Sequence, residues 1–172
     1  MNYYTTHQTE RLLIRPLRES DAESWQEYFT NNPNLRFFNL DLSKEISALS
    51  TYWIRRQLDR YSNNQYGLLA LTLKDTGKLI GQCGLLLQNI EDKNQVEIGY
   101  HILPSFWHMG YATEAARYFR AFAFENKLVD EVISIIHREN IGSQKVATYN
   151  QMHRSSELVW KDMPVFIYRT FD

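Results

Sequence analysis

The spacing of apolar residues along the chain changes several times, and each change predicts an element. In Thr9–Arg15 the run Leu12-Leu13-Ile14 stops at Pro16, which predicts a first strand. Ser20-Asp-Ala-Glu23 has the spacing of a capping box. Ala22, Trp25, Tyr28 and Phe29 follow at helical intervals, so a helix is expected from about Ser20 to Asn31. A longer helix is expected from a Ser43 cap to about Tyr61, with Ile46, Leu49 and Trp53 on one stripe. Tyr66–Leu73 and Leu79–Gln88 read as a hairpin turned at Gly77, and Gln95–Leu103 as a further strand after Glu-Asp-Lys-Asn. The period then shifts. Ala112, Ala115, Ala116, Phe119 and Phe122 share one face of a helix over Tyr111–Asn126. Val-Ile-Ser-Ile-Ile within Glu131–His137 marks a buried strand. A short helix, Ile141–Gln151, and a last strand, Val165–Phe171, complete the pattern.

The expected order is β-α-α-β-β-β-α-β-α-β. Hairpins combined with one β-α-β crossover indicate an α/β (α+β) sandwich on a mixed sheet, not a doubly wound parallel one. With 172 residues and no linker, residues 1–172 are expected to form a single domain. Composition narrows the function classes. Lys plus Arg total 19 against 20 for Asp plus Glu, so the basic excess of a phosphate-gripping nucleic-acid binder is missing. Cys83 stands alone, which removes an internal disulfide and a cysteine-rich zinc site. His7, His108, His137 and His153 lack metal-ligand spacing, so no metal is expected. Met1-Asn-Tyr-Tyr-Thr-Thr-His shows no signal peptide, and no apolar run reaches the ~20 residues of a membrane span. A cytoplasmic protein with no membrane association is expected. Aromatic residues at 14% hint at an aromatic-lined cleft.

Chemistry concentrates in Val96-Glu-Ile-Gly-Tyr-His-Ile-Leu-Pro-Ser-Phe-Trp-His-Met-Gly-Tyr-Ala-Thr-Glu-Ala115. A strand ends at Pro104, and after a short loop a helix opens near Gly110. The first turn of a helix leaves N–H groups unpaired at the positive end of the macrodipole, which suits phosphate. Gly110 permits close backbone approach, and Ala112 leaves the helix start uncrowded. An ordinary strand-to-helix turn would look the same. The segment is neither a Walker loop nor a Gly-x-Gly-x-x-Gly fingerprint.

Taken together these residues resemble the Gcn5-related N-acetyltransferases (GNAT), in the branch of ribosomal-protein N-terminal acetyltransferases (RimJ/RimL-like). Thr9-Glu-Arg-Leu-Leu-Ile-Arg15, Glu97-Ile-Gly-Tyr100 and Gly110-Tyr-Ala-Thr-Glu-Ala115 match that branch, as does Asn140-Ile-Gly-Ser143 followed by Val146-Ala147. The resemblance implies a GNAT-like fold that binds acetyl-CoA as co-substrate. Its pyrophosphate would rest on the backbone of Trp107, His108, Met109, Gly110, Tyr111 and Ala112, with Thr113 alongside. The pantetheine would pair with the strand around Ile102 and touch Asn140. Read without the family, Asn140 is a helix cap and Thr113 a first-turn residue.

The resemblance also implies a chemistry. Attack on a thioester needs a neutral amine, and deprotonating a lysine of pKa near 10.4 at pH 7 costs about 4.6 kcal/mol. Glu97 takes the place of the general base, and alternation puts it on one face with Gly99 and His101. The alternative for Glu97 is a solvent-facing residue in a salt bridge. Ser143 takes the place of the acid that protonates the departing thiolate, and could equally be a plain helix residue. The more widespread tyrosine position is Ala147 here, and Tyr149 falls on another side of the helix.

Three departures from the superfamily pattern are present: Trp107 where Gln or Arg is common, although Trp is familiar in this branch, His108-Met109 where Gly-Lys is usual, and Asn150-Gln151 in place of Leu-Gly. The second removes a cation beside the phosphates unless His108 serves. Cys83 among leucines reads as core, with an acyl-carrying nucleophile as the alternative; Arg55, Arg56 and Arg60 read as a solvated face, with the rim of an acceptor cleft as the alternative. The expected acceptor is a protein N-terminus or a small-molecule amine such as an amino sugar or polyamine. The competing reading is a catalytically silent acyl-CoA-binding module. A monomer or homodimer is expected, with no nucleic-acid partner.

Overall fold

Hairpins build most of the sheet. The computed structural model describes residues 3–172; Met1 and Asn2, the start of the segment read for a signal peptide, lie outside them. The chain opens with β1 (His7–Gln8) and β2 (Leu12–Arg15), then α1 (Asp21–Trp25) and α2 (Ile46–Ser62). Next come β3 (Leu68–Leu73), β4 (Leu79–Ile90) and β5 (Lys93–Ile102), followed by α3 (Tyr111–Glu125). β6 (Glu131–His137), α4 (Ile141–Tyr149), β7 (His153–Trp160) and β8 (Met163–Phe171) complete it. The eight strands form one sheet in the order β1-β2-β3-β4-β5-β6-β8-β7. Every neighbouring pair is antiparallel except β5–β6.

The helices cover both faces of this mixed α/β sheet. On one face Ala115, Ala116, Phe119, Phe122 and Ala123 of α3 pack with Ala147 of α4 against Leu12, Ile14, Leu69, Leu71 and Ile98. On the other, Trp25 and Tyr28 join Leu49, Trp53 and Ile54 of α2 over Ala70, Leu79 and Leu103.

Several local expectations are corrected. Ser20 makes no side-chain cap; α1 lasts five residues and tightens into a 3-10 turn, Gln26–Phe29. Asp21 does the work instead, receiving the Arg18 amide at 2.8 Å and both terminal nitrogens of Arg15 at 2.7 and 2.8 Å. Ser43 does not cap α2, whose N-cap is Glu45; its hydroxyl donates to Asp41 at 2.6 Å in a local turn. A second 3-10 turn, Pro33–Phe37, occupies the segment between α1 and α2. The β4–β5 connection is only Glu91-Asp92, both with positive φ, so the two strands run on to Ile90 and from Lys93. β7 is an additional strand, joined to β8 by Lys161-Asp162, again both at positive φ. Two-residue turns of this twist match the twist of the flanking strands.

The crossover from β5 through α3 to β6 creates the feature that matters for function. The parallel pairing of β5 and β6 consists of one register pair, Glu97↔Ile133, beyond which the strands part. The Ile98 carbonyl just past that point is taken by Ser134 Oγ at 2.9 Å. By two-residue alternation, the backbone groups of Tyr100 and Ile102 face the same opening.

Candidate active site in the strand splay

The loop between β5 and α3 is shaped by two left-handed residues, His108 (φ 63) and Gly110 (φ 83). A Cβ at Gly110 would meet only Arg11 Nη2, at 3.3 Å, so the glycine answers the backbone turn rather than crowding. The first bond of α3 is Glu114 N–H to Gly110 O at 3.0 Å, which leaves the Tyr111, Ala112 and Thr113 amides ahead of the helical ladder. Trp107 turns inward, and its indole N–H donates to the Ile102 carbonyl at 2.8 Å. Beside the opening, this caps one backbone acceptor and leaves the Ile102 amide as the group for a strand-like ligand. His108 and Met109 are exposed.

A set of contacts that sequence reasoning missed holds this loop. Arg11 Nε meets Glu114 Oε2 at 2.7 Å, and Arg11 Nη1 donates to Met109 O at 2.9 Å. Its guanidinium lies 4.3 Å from the centre of the Tyr111 ring. Glu114 also accepts from Thr9 Oγ1 at 2.5 Å and the Arg11 amide at 2.9 Å. Burial alone would raise the Glu114 carboxyl, but these donors outweigh it and hold it below its ordinary range. The signal was present in Thr9-Glu-Arg11 and Tyr-Ala-Thr-Glu114, which meet across 105 residues of chain. Arg11 brings a cation to the loop that lacks the usual lysine.

Below the loop, the splay and α2 enclose a cleft of about 260 Å³. Glu97, Gly99 and His101 line it together, as alternation predicts, and so do Asn140 and Ser143 from the start of α4. Glu97 is 9% exposed and makes no salt bridge among the described residues, which removes the solvent-facing reading. Burial pushes its carboxyl above the ordinary carboxylate range. Hydrogen bonding from Gln88 Nε2, at 2.6 Å, and from the Ile135 amide opposes that, with smaller help from Lys161 and Arg60. At Gly99 a Cβ would stand 3.1 Å from Leu86 Cδ1, so side-chain crowding keeps this strand position small. His101 shares a 3.1 Å hydrogen bond with Tyr28 and packs edge-on to Trp53. Burial first, and Arg56 second, push it down to about 3, so it is neutral.

Asn140 does cap α4: its Oδ1 accepts the Ser143 amide at 3.1 Å, so its NH2 group is the part left for a ligand. The Ser143 carbonyl accepts from Tyr100 at 2.9 Å, tying α4 to β5. Thr113 stands half-buried in the first turn of α3, away from the residues of the cleft. Tyr149 is 66% exposed and plays no part in the cleft. Cys83 is fully buried, and burial pushes its thiol up, which suits core packing and not acyl transfer. Arg56 and Arg60 line the cleft, so the solvated-face reading holds only for Arg55. Trp160, the last residue of β7, and Lys161, in the β7–β8 turn, also line it and had no sequence signal. Among the described residues no group of three or more His, Cys, Asp or Glu is placed to hold a metal. No helix there is long and apolar enough to cross a membrane.

Comparison with known proteins agrees with this geometry. Residues 11–153 match the family model described as "Acetyltransferase (GNAT) domain". The chain is 27% identical over 170 residues to the uncharacterized protein YkkB of Bacillus subtilis, covering 98% of this chain and 96% of YkkB. It is 25% identical over 143 residues to the uncharacterized N-acetyltransferase YoaA of the same organism, covering 81% and 77%. The solved structure of RimL, a ribosomal L7/L12 alpha-N-protein acetyltransferase in complex with coenzyme A, superposes with a TM-score of 0.78 at 12% identity. That superposition covers 97% of this chain and 98% of RimL.

Proposed function

The chain belongs to the GNAT acetyltransferases, and from that premise we propose that it transfers acetyl from acetyl-CoA directly to a primary amine, with Glu97 as general base and Ser143 as general acid. Acetyl-CoA supplies a thioester whose carbonyl carbon takes the nucleophile and whose thiol departs. Residues 1–172 act as one catalytic domain in this reading.

The residues present fit that co-substrate. The turn at His108 and Gly110 presents the amides of Tyr111, Ala112 and Thr113 to phosphate at the positive end of α3. The divergence of β5 and β6 offers the Ile102 amide to a strand-like arm, beside the Asn140 NH2 group. RimL, which shares the fold, is in complex with coenzyme A, and this supports the co-substrate.

Glu97 carries the proposal, because a buried carboxyl stands on the cleft floor where the two strands part. As carboxylate it accepts the ammonium proton, directly or through one water, so that the amine lone pair can form the C–N bond. The C–S bond then breaks; the Ser143 hydroxyl supplies a proton to the sulfur and is reprotonated by the proton that the acylated nitrogen sheds as the amide forms. A thiol of pKa about 8.5 leaves readily, so this second transfer contributes less than the first.

The test is Glu97→Gln. Turnover should fall about 100-fold or more, the scale of a lost general base. Stabilisation by acetyl-CoA, about 2.7 kcal/mol at 100 times Kd, should persist. Unchanged turnover would remove Glu97 as the base. Absence of any stabilisation of the wild type by acetyl-CoA or CoA, relative to a nucleotide control, would remove the cofactor.

A further inference from the structure

The acceptor end of the cleft has a charge pattern that the acetyl-transfer reaction does not require. Arg56 and Arg60 reach it from α2, and Lys161 from the β7–β8 turn, more than 100 residues away in the chain. Glu97 is the sole carboxylate among the lining residues. None of the three cations has an ion-pair partner among the described residues. Two of them lie against aromatic rings instead: the Arg56 guanidinium is 5.6 Å from the Tyr52 ring, and Lys161 Nζ is 4.1 Å from that of Trp160. Their proximity shows in their titration. Burial first, and then Arg56, lowers Arg60; burial, Arg56 and Arg60 bear in the same direction on Lys161. Like charges are thus held together around a partly desolvated space, where an anion would relieve the repulsion.

The phosphates of CoA are not that anion. They belong at the α3 end of β5, and Glu97 lies five residues before Ile102, about 17 Å along an extended strand. Arg60 and Lys161 both act on Glu97, which places them at the opposite end.

We propose that the acceptor is a small amine bearing an oxyanion, a carboxylate or a phosphate, which Arg56, Arg60 and Lys161 hold while its amino group lies at Glu97. The inference rests on the acetyl-transfer reading above. Phe37, Phe38, Trp53 and Trp160 wall the same cleft and suit an apolar or flat body between the two polar ends. Polyamines and aminoglycosides, which carry several positive charges, are repelled by this lining.

The experiment compares acceptors with and without the anion: L-phenylalanine with L-phenylalaninamide, and phosphoethanolamine with ethanolamine, with spermidine as a cationic control. Each kcat/KM is referred to the neutral-amine fraction of that acceptor. At least one anionic member should exceed its neutral partner about tenfold or more in kcat/KM, chiefly through KM. The pair that responds tells carboxylate from phosphate. In Arg60→Gln and Lys161→Gln the ratio should fall towards one, while the acetyl-CoA KM stays unchanged. Both members of a pair use the same base, so an altered Glu97 cancels in the ratio. Equal or better use of the neutral member or of spermidine overturns the inference and leaves acetyl transfer standing. So does a ratio that survives both variants. If none of these amines reacts, inorganic phosphate added to the CoA-loaded protein tests the anion site directly. A rise in unfolding temperature that both variants lose supports it; no rise overturns it.

Discussion

The two ends of β5 are built on different plans. At the Ile102 end the site is mostly backbone, drawn from one contiguous stretch, Ile102–Thr113. Arg11 and Glu114 brace it, and their charges neutralise each other at 2.7 Å. At the Glu97 end the site is side chains from Phe37 and Phe38, α2, β5 and the β7–β8 turn, with cations left unpaired. A braced backbone cradle suits a ligand of one fixed chemistry. An assembly of separate side chains can change its ligand one residue at a time. On the proposed function, the common co-substrate takes the first end and the individual acceptor the second.

Mutations should separate the two ends by kinetic signature. Glu97→Gln, the largest effect, should reduce kcat with acetyl-CoA affinity intact. Arg11→Ala should do the reverse. It removes the bond to Met109 O and one bond to Glu114 and uncovers the Tyr111 ring, so the loop loses its brace. The acetyl-CoA KM should rise about tenfold, worth about 1.4 kcal/mol, with kcat nearly unchanged at saturation. A fall in kcat at saturating acetyl-CoA would show that the two ends are coupled through β5.

Much of this contrast explains what the sequence disclosed. The β5–α3–β6–α4 region was legible because its signals are local: α3 begins at Tyr111, β6 spans Glu131–His137 and α4 opens at Ile141, as their periodicity predicts. The loop's motif is contiguous, so it too could be read. The acceptor end was legible only in part, through Glu97 and the arginines of α2. β7 is an edge strand whose His153-Arg-Ser-Ser-Glu157 is exposed throughout, so it lacks the apolar alternation that announces a strand. Its turn uses Lys161-Asp162 at positive φ, where a glycine would have advertised the hairpin. Lys161 and Trp160 thus entered the cleft unannounced. Ser20 and Ser43 failed as caps for a related reason: Asp21 and Asp41 engaged the nearby backbone or hydroxyl first. A short polar side chain has several local partners, and spacing alone does not choose between them.

The next prediction tests whether burial at the Glu97 end costs stability. The folded carboxyl titrates above its ordinary value, which is about 4.3 in an unfolded chain. The folded state therefore binds that proton more tightly, and stability falls as pH rises from the ordinary value through the raised one. Above that window the protein carries the full cost of a buried charge. Glu97→Gln keeps the shape without the charge, so it should unfold at a higher temperature than the wild type at neutral pH. The gap should close below about pH 4, where the wild-type carboxyl is protonated in both states. The acid limb of kcat/KM should lie above the ordinary carboxylate range. It should move higher still in Gln88→Leu, which removes a donor to the charged form. A limb that moves lower would contradict the assignment of Glu97 as the titrating base.

The smallest effect lies at the C-terminal end of α4, away from the cleft, where Asn150-Gln151 replaces Leu-Gly. α4 still closes as a Schellman motif: Met152 N–H reaches Ala147 O at 3.1 Å and Gln151 N–H reaches Thr148 O at 3.0 Å. Buried Met152 and Ala147 supply the accompanying apolar contact. Gln151 holds φ 61, the left-handed position that glycine occupies without penalty. The strain of about 1–2 kcal/mol for an L-residue there is partly offset by the freedom that glycine loses on folding. Gln151→Gly should therefore stabilise by about 0.5–1 kcal/mol, or roughly 1–4 °C in Tm for a chain of this size. Its exposed side chain touches neither end of β5, so kcat and both KM values should stay level. A change in acceptor KM would show that the α4 terminus, through Ser143 and its link to Tyr100, sets the geometry at the Glu97 end. The separation of the two ends would then be incomplete.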